Sequence, residues 1–146
     1  MRELWKYVKG YEGLYEVSNL GRVKSLEKVV PHIGGFRTIK EKILKPGTDG
    51  HGYYMVNLCK NNIQKSYKVH KLVAMAFLDH VPNGMKTIVH HKNNIKDDNR
   101  LENLELTTNR ENAYTHHKGT SKYKGVSFCK RDKKWRAKIE INGDDK

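Results

Sequence analysis

Cysteine and long apolar runs are both scarce in this sequence, and each scarcity excludes a class of protein. Cys59 and Cys129 are far apart in the 146 residues and neither belongs to a C-x-x-C pair, so no disulfide framework or cysteine-rich zinc site is predicted. No stretch approaches the roughly 18 apolar residues of a membrane span, and the opening MRELWKYVKG lacks the apolar centre of a signal peptide. We therefore expect no membrane contact and a reducing, cytoplasmic location.

Hydrophobic residues make up 36% of the chain, which is thin for one large core. Small modules are expected instead. Lysine and arginine number 29 against 16 aspartates and glutamates, a net charge of +13. A surface this basic suits a polyanion, because neutralised phosphates release their counterions. The charge predicts a nucleic-acid partner; at this point DNA, RNA and simple solubility remain open.

Alternating apolar residues predict two hairpins in the first half of the chain. In residues 11–26, Tyr15 and Val17 alternate with polar residues before a turn signal and a basic return strand. In residues 54–69 a similar alternation surrounds the turn KNNI, and the following HKLVAMAFL has the apolar face of a helix. The glycines and prolines of residues 31–50 predict a loop with one short strand near its end.

Histidines and asparagines cluster in the next segment, where strand TIVHH, loop KNNIKDDNR and strand NLELTT follow one another. Thr108 and Glu111 form a capping box, so a helix should begin at Asn109. This order would bring together five side chains: His90, His91, Asn103, Asn112 and His116. Adjacent strand residues point to opposite sides. One histidine could therefore bind a metal while the other acts as a general base. Solvated surface histidines and asparagines in ordinary turns would produce the same sequence pattern.

Residues 88–117, IVHHKNNIKDDNRLENLELTTNRENAYTHH, resemble the HNH nuclease motif. The match is to the H-N-N variant found in phage and intron-encoded homing endonucleases, and it includes the HHK core, the run DNRLENLEL and the ENA helix. The resemblance implies a ββα-metal (His-Me finger) core of α+β class. Such a core hydrolyses DNA phosphodiester bonds with one divalent cation.

The resemblance also implies a role for each of the five side chains. His91 matches the general base, and His90 matches the first metal ligand, where relatives often have aspartate. Asn112 matches the second ligand, and Asn103 the asparagine that braces the loop and helps to orient the base. His116 could be a third ligand, a phosphate contact or a surface residue. The implied cation is Mg²⁺ or Mn²⁺, and histidine at position 90 also admits Ni²⁺ or Zn²⁺.

Two flanking segments resemble DNA-binding modules. Residues 4–26, through GYEGLYEVSNLGRV, resemble the N-terminal module that accompanies many HNH homing endonucleases. Residues 121–146 resemble the first part of an APETALA2-type DNA-binding domain, without its third strand and covering helix. The basic residues expected to contact DNA are Arg22, Lys24, Lys92, Arg100, Arg131, Arg136 and Lys138.

Together these features predict three segments: an N-terminal DNA-binding module (1–45), an HNH nuclease domain (46–117) and a partial APETALA2-type hairpin (118–146). The predicted protein is a metal-dependent homing-type endonuclease that nicks or cuts a long, loosely specified duplex DNA site. A single site per chain favours a monomer, with a dimer needed to cut both strands. The module combination is typical of phage proteins acting on DNA inside a bacterial host. The alternatives are a DNA-binding protein with a degenerate, inactive site and an RNA-binding protein without catalysis.

Overall fold

The computed structural model describes residues 1–116, 126–129 and 131–137. The chain divides into two compact units, Met1–Thr108 and Asn109–Lys146. In chain order the elements are β1 (Trp5–Tyr7), β2 (Tyr15–Ser18), β3 (Val23–Ser25), β4 (Lys28–His32), β5 (Gly35–Ile39), β6 (Lys42–Ile43), β7 (Gly47–Thr48), β8 (Tyr54–Lys60), β9 (Ile63–Lys68), α1 (Val69–Phe77), β10 (Ile88–His91), a 3-10 turn (Leu101–Asn103), β11 (Leu104–Thr107), α2 (Asn109–His116), β12 (Val126–Cys129) and β13 (Lys134–Ala137). Short strands and two helices confirm the predicted α+β class. Among the described residues, none of the helices has the length and apolarity to cross a membrane.

One hydrophobic core holds the first unit together. It joins a four-stranded antiparallel sheet, in the order β1-β2-β3-β6, to a three-stranded sheet, β7-β8-β9, with α1 packed on both. Val17 and Val23 contribute from the first sheet, Leu58 from the second, and Leu72 and Val73 from α1, all at most 2% exposed. Burying a side chain of this size stabilises the fold by about 1.5–3 kcal/mol. The predicted boundary at residue 45 therefore crosses a continuous core.

Both predicted hairpins are present. Strands β2 and β3 pair with Tyr15 opposite Ser25, and β8 pairs with β9 from Met55 to Lys60. The apolar residues of β2, Tyr15 and Val17, are buried on one face of the sheet, because side chains alternate across a strand. Helix α1 follows β9 directly, as the apolar spacing of HKLVAMAFL predicts.

The prediction of a loop for residues 31–50 is wrong for the first half of that segment. Strands β4 and β5 form a separate two-stranded hairpin, in which Pro31 lies opposite Phe36. Gly34 has φ +86°, a conformation that glycine reaches without strain. Gly34 thus belongs to the turn of a hairpin instead of an irregular loop. The predicted short strand near residue 43 is confirmed as β6, which pairs with β3.

Strands β10 and β11 pair antiparallel, with Ile88 opposite Thr107 and His91 opposite Leu104. Leu104 belongs to the buried core, so this hairpin is anchored to the first unit. Helix α2 begins at Asn109, where the capping box predicts its start. It belongs to the second unit, as does the hairpin of β12 and β13.

Candidate active site

The two adjacent histidines lie at the end of β10 and face opposite sides of the hairpin. His90 is opposite Glu105 and His91 is opposite Leu104, and the histidines are 8% and 5% exposed. On the core side, the ring of His91 contacts the ring of His70 edge-on, with 5.0 Å between centroids. The strand alternation predicted from sequence thus gives the two imidazoles separate surroundings.

The loop that follows β10 is braced by the side chain of Asn103, which is 7% exposed. Its Oδ1 accepts a hydrogen bond from the Asn93 amide at 3.0 Å. Its Nδ2 donates to Asn93 Oδ1 and to the Asp98 carbonyl oxygen, both at 2.9 Å. The Lys92 amide also donates to the carbonyl of Asn103 at 2.8 Å. One amide side chain therefore ties the start of the loop to its end.

The imidazole of His91 is held by Asn99, a residue that sequence analysis missed. His91 Nε2 and Asn99 Oδ1 are 3.2 Å apart, and Asn99 Nδ2 donates to the Asp97 carbonyl oxygen at 3.2 Å. Because that donation turns Oδ1 toward the ring, Nε2 must carry the proton and Nδ1 keeps its lone pair. Sequence analysis gave the orienting role to Asn103, whose bonds go to the loop. No spacing rule marks Asn99, which lies in an ordinary turn sequence.

Burial controls the protonation of the histidines on this side. Desolvation lowers the pKa of His91, and the hydrogen bond with Asn99 opposes that shift. Desolvation also lowers the pKa of His70 to about 3, with a further lowering from His91. Both imidazoles are therefore neutral near pH 7, and a neutral imidazole can accept a proton.

The ring of Tyr53 lies beside both His70 and His91. Its centroid lies 5.1 Å from that of His70 and 6.0 Å from that of His91. The Nζ atoms of Lys68 and Lys96 lie 4.3 and 5.3 Å from the Tyr53 centroid. An aromatic face is attractive to cations at these distances, so two ammonium groups lie beside the Tyr53 ring, and that of Lys68 also pairs with Asp49 at 2.9 Å.

Three of the cations predicted to contact DNA are already paired with carboxylates of their own unit. Arg22 pairs with Glu3, Lys24 with Glu16 at 3.0 Å, and Arg100 with Asp98 at 2.7 Å. The Lys24 side chain is only 16% exposed. These charges stabilise local turns and strands, so their contact with a phosphate would require the pairs to rearrange. Lys92 is exposed and donates to the Glu102 carbonyl oxygen at 3.0 Å.

The remaining predicted residues belong to the second unit. Asn112 lies within α2, whereas the side chains of His116 and Lys138 lie outside the described residues. Arg131 and Arg136 both pair with Asp132 in the turn between β12 and β13. The Arg131 side chain nevertheless keeps 87% of its surface exposed.

The side chains near β10 are of the type that binds a divalent cation, but too few of them lie together to complete a metal site. The face of the hairpin that carries the His90 imidazole also carries the Glu105 carboxylate directly opposite, and divalent metals accept both. Among the residues that the structure describes, no three histidine, cysteine, aspartate or glutamate side chains group as a metal site. A cation here would need further oxygen donors, such as a side-chain amide, water or phosphate.

Known protein families match most of this chain. Residues 3–59 match the NUMOD4 motif and residues 67–114 match the HNH endonuclease family. The chain is 37% identical to the DNA endonuclease I-HmuI of Bacillus phage SP01, over 75% of this chain and 55% of that protein. It is also 37% identical to HNH endonuclease L247 of Acanthamoeba polyphaga mimivirus, over 76% of this chain and 25% of that protein. The chain thus spans about half or less of the length of these relatives.

A solved structure, described as showing DNA binding and cleavage by the HNH homing endonuclease I-HmuI, matches with a TM-score of 0.62. The match has 36% sequence identity and covers 77% of this chain and 56% of that one. The HNH and N-terminal resemblances are confirmed, while the two family matches end at residue 114 and leave the APETALA2-type resemblance a prediction. Residues 3–59 are therefore similar to the NUMOD4 motif and residues 67–114 to the HNH endonuclease family, and about three quarters of the chain is similar to about half of the HNH homing endonuclease I-HmuI.

Proposed function

We propose that this chain is a DNA endonuclease of the homing type that hydrolyses phosphodiester bonds in duplex DNA, with His91 as its general base. One observation carries the proposal: His91 is buried, neutral and fixed through Nε2 by Asn99. Its Nδ1 is then the proton acceptor. A base poised in this way removes a proton from the water that attacks phosphorus.

The other residues of the motif have supporting roles in this proposal. Asn103 fixes the loop and so keeps Asn99 within reach of the base. His90 and Asn112 would hold the divalent cation on which HNH endonucleases generally depend. When bound, that cation supplies positive charge to the phosphate and to the leaving oxygen. Mg²⁺ and Mn²⁺ are the expected ions, with Ni²⁺ or Zn²⁺ admitted by the imidazole of His90.

Duplex DNA is the proposed substrate, and the I-HmuI relative supports that choice because its structure is described as showing DNA binding and cleavage. The net charge of +13 favours association with phosphate. We assign phosphate contacts first to the exposed cations Lys92 and Arg131. Arg22, Lys24 and Arg100 come second, because each must leave a carboxylate partner and is at most 53% exposed, whereas Arg131 stays 87% exposed although it pairs with Asp132. The APETALA2-type resemblance supports a contact by the β12–β13 hairpin through Arg136 and Lys138.

The test is cleavage of supercoiled plasmid with Mg²⁺, Mn²⁺, Ni²⁺ or Zn²⁺ and without metal, by the native chain and by His91→Ala. We expect metal-dependent conversion to relaxed or linear DNA that His91→Ala loses. His80→Ala is the matched control, because His80 is also 5% exposed but follows α1 instead of β10. The proposal is wrong if no metal supports cleavage, or if His91→Ala cuts as fast as the native chain.

A second candidate, a DNA-binding protein with an inactive site, is favoured by one observation. The described residues lack a three-ligand cluster of histidine, cysteine, aspartate or glutamate. On this account the chain binds duplex DNA at a stated salt concentration yet cuts it with none of the four metals. Tight binding without cleavage would select this candidate, and cleavage would exclude it.

A further inference from the structure

The turn from Ser18 to Arg22, which connects β2 and β3, packs directly against the loop that follows β10. Gly21 has φ +79°, and a Cβ at this position would lie 2.8 Å from Asn99 Cβ and 2.9 Å from the Asn99 carbonyl oxygen. Such distances are far below van der Waals contact. The Leu101 amide also donates to the carbonyl oxygen of Asn19 at 2.8 Å. Two backbone segments from distant parts of the chain therefore pack so closely that no side chain larger than the hydrogen of glycine fits between them.

The turn itself is rigidly held on its other side. Asn19 is 3% exposed, and its Oδ1 accepts from the Leu4 amide at 2.8 Å while its Nδ2 donates to the Arg2 carbonyl oxygen at 3.1 Å. The Asn19 amide donates to the Leu4 carbonyl oxygen at 3.0 Å. Ser18 Oγ accepts from the Arg22 amide at 3.1 Å. The turn is thus held by hydrogen bonds to the N-terminal strand region and within itself, independently of its contact with the loop.

We propose that this turn is a positioning element of the active site, in which Gly21 fixes Asn99 and Asn99 fixes the imidazole of His91. The inference rests on the proposed function of His91. Asn99 has little freedom, because Gly21 confines its Cβ and carbonyl while the Asp97 carbonyl orients its amide. Displacement of a reacting group by about 1 Å can cost a factor of about 100 in rate. The N-terminal segment would therefore set the rate of the chemical step in addition to any role in binding.

The chain supplies a matched control for this contact. Gly13 has φ +75°, close to that of Gly21, but a Cβ there would meet nothing within 4 Å. Replacing either glycine by alanine imposes similar backbone strain. Only the change at Gly21 also pushes a methyl group into the backbone of Asn99. The difference between Gly21→Ala and Gly13→Ala therefore isolates the contact from the cost of the turn.

Two measurements test the inference. The first is plasmid nicking by the full chain with Mg²⁺, analysed as kcat and KM. We expect Gly21→Ala to lower kcat by up to about 100-fold with KM within about threefold of the native value, and Gly13→Ala to change neither. The second is the nitrogen-15 spectrum of the His91 ring in metal-free protein at pH 8. The native chain should show one tautomer, protonated at Nε2, and Gly21→Ala a mixture of two.

Asn99→Leu serves as the second variant if Gly21→Ala does not fold, as judged by thermal melting. It removes the acceptor and should give the same mixed tautomers. Native kcat together with a single Nε2–H tautomer in the folded Gly21→Ala or Asn99→Leu variant would overturn the inference. If the native chain cuts no DNA, the spectra still decide: mixed tautomers in either variant support positioning of His91 even though the endonuclease proposal has failed.

Discussion

Two connections of the first unit, the loop after β10 and the β4–β5 hairpin, are stabilised in opposite ways. In the loop, the buried amides of Asn99 and Asn103 are hydrogen-bonded to the backbone and to a histidine. In the hairpin, Ile33 and Phe36 are 97% and 81% exposed, and the strands pair with each other only. Buried amides thus fix the backbone of the loop beside His91, whereas the β4–β5 hairpin depends on the hydrogen bonds between its two strands.

The largest effect on stability is expected from Asn103→Ala. The change removes three side-chain hydrogen bonds and leaves buried groups of the loop unsatisfied, each costing about 1–3 kcal/mol. We expect the free energy of unfolding to fall by about 2–4 kcal/mol in urea denaturation. Asn57→Ala, on exposed β8 surface with one bond to Ser66, is the control and should lose less than about 1 kcal/mol. Equal losses in the two variants would mean that the loop is not held by Asn103.

An intermediate effect on the free energy of unfolding is expected when the pH is lowered, because His70, which contacts His91, is protonated in the unfolded chain first. Its pKa is about 3 in the folded chain, against an ordinary value of 6.5 for histidine, so the unfolded chain binds the proton first as the pH falls. Stability is therefore full above pH 6.5 and falls by about 1.4 kcal/mol per pH unit below it. His70→Gln should flatten the dependence of the unfolding free energy on pH between 6.5 and 4.5. The slope will not vanish, because burial also lowers the pKa of His80 and of His91. An unchanged slope in His70→Gln would contradict this assignment.

The smallest effect is expected in the hairpin. Phe36→Ser and Ile33→Ser remove exposed side chains that contribute no core packing, so the free energy of unfolding should change by less than about 0.5 kcal/mol. Thermal and urea denaturation of the two variants measure it. A loss above about 1 kcal/mol would show that the hairpin packs on another part of the chain, and the contrast with the loop would disappear.

Local patterns predicted much of this architecture, because strand alternation, the apolar face of α1 and the capping box of α2 depend on neighbouring residues. His90 and His91 were placed on opposite faces for the same reason. The contact between Asn99 and Gly21 could not be predicted, since it joins segments about 80 residues apart. A turn that contains glycine also has the same kind of sequence whether it is exposed to solvent or packed against another segment. The carboxylate partners of Arg22 and Lys24 were missed because charge counts do not show which side chains meet.

In the proposed reaction, His91, oriented by Asn99, performs the proton transfer in phosphodiester hydrolysis. Single-turnover nicking of plasmid DNA, with protein in excess and Mg²⁺ or Mn²⁺ present, tests it most directly. Loss of a general base costs about 10²- to 10⁴-fold in rate, so His91→Ala should nick at least about 100-fold more slowly while its affinity for the same DNA at the same salt is unchanged. A rate within about threefold of the native chain, at equal affinity, would show that His91 is not the general base.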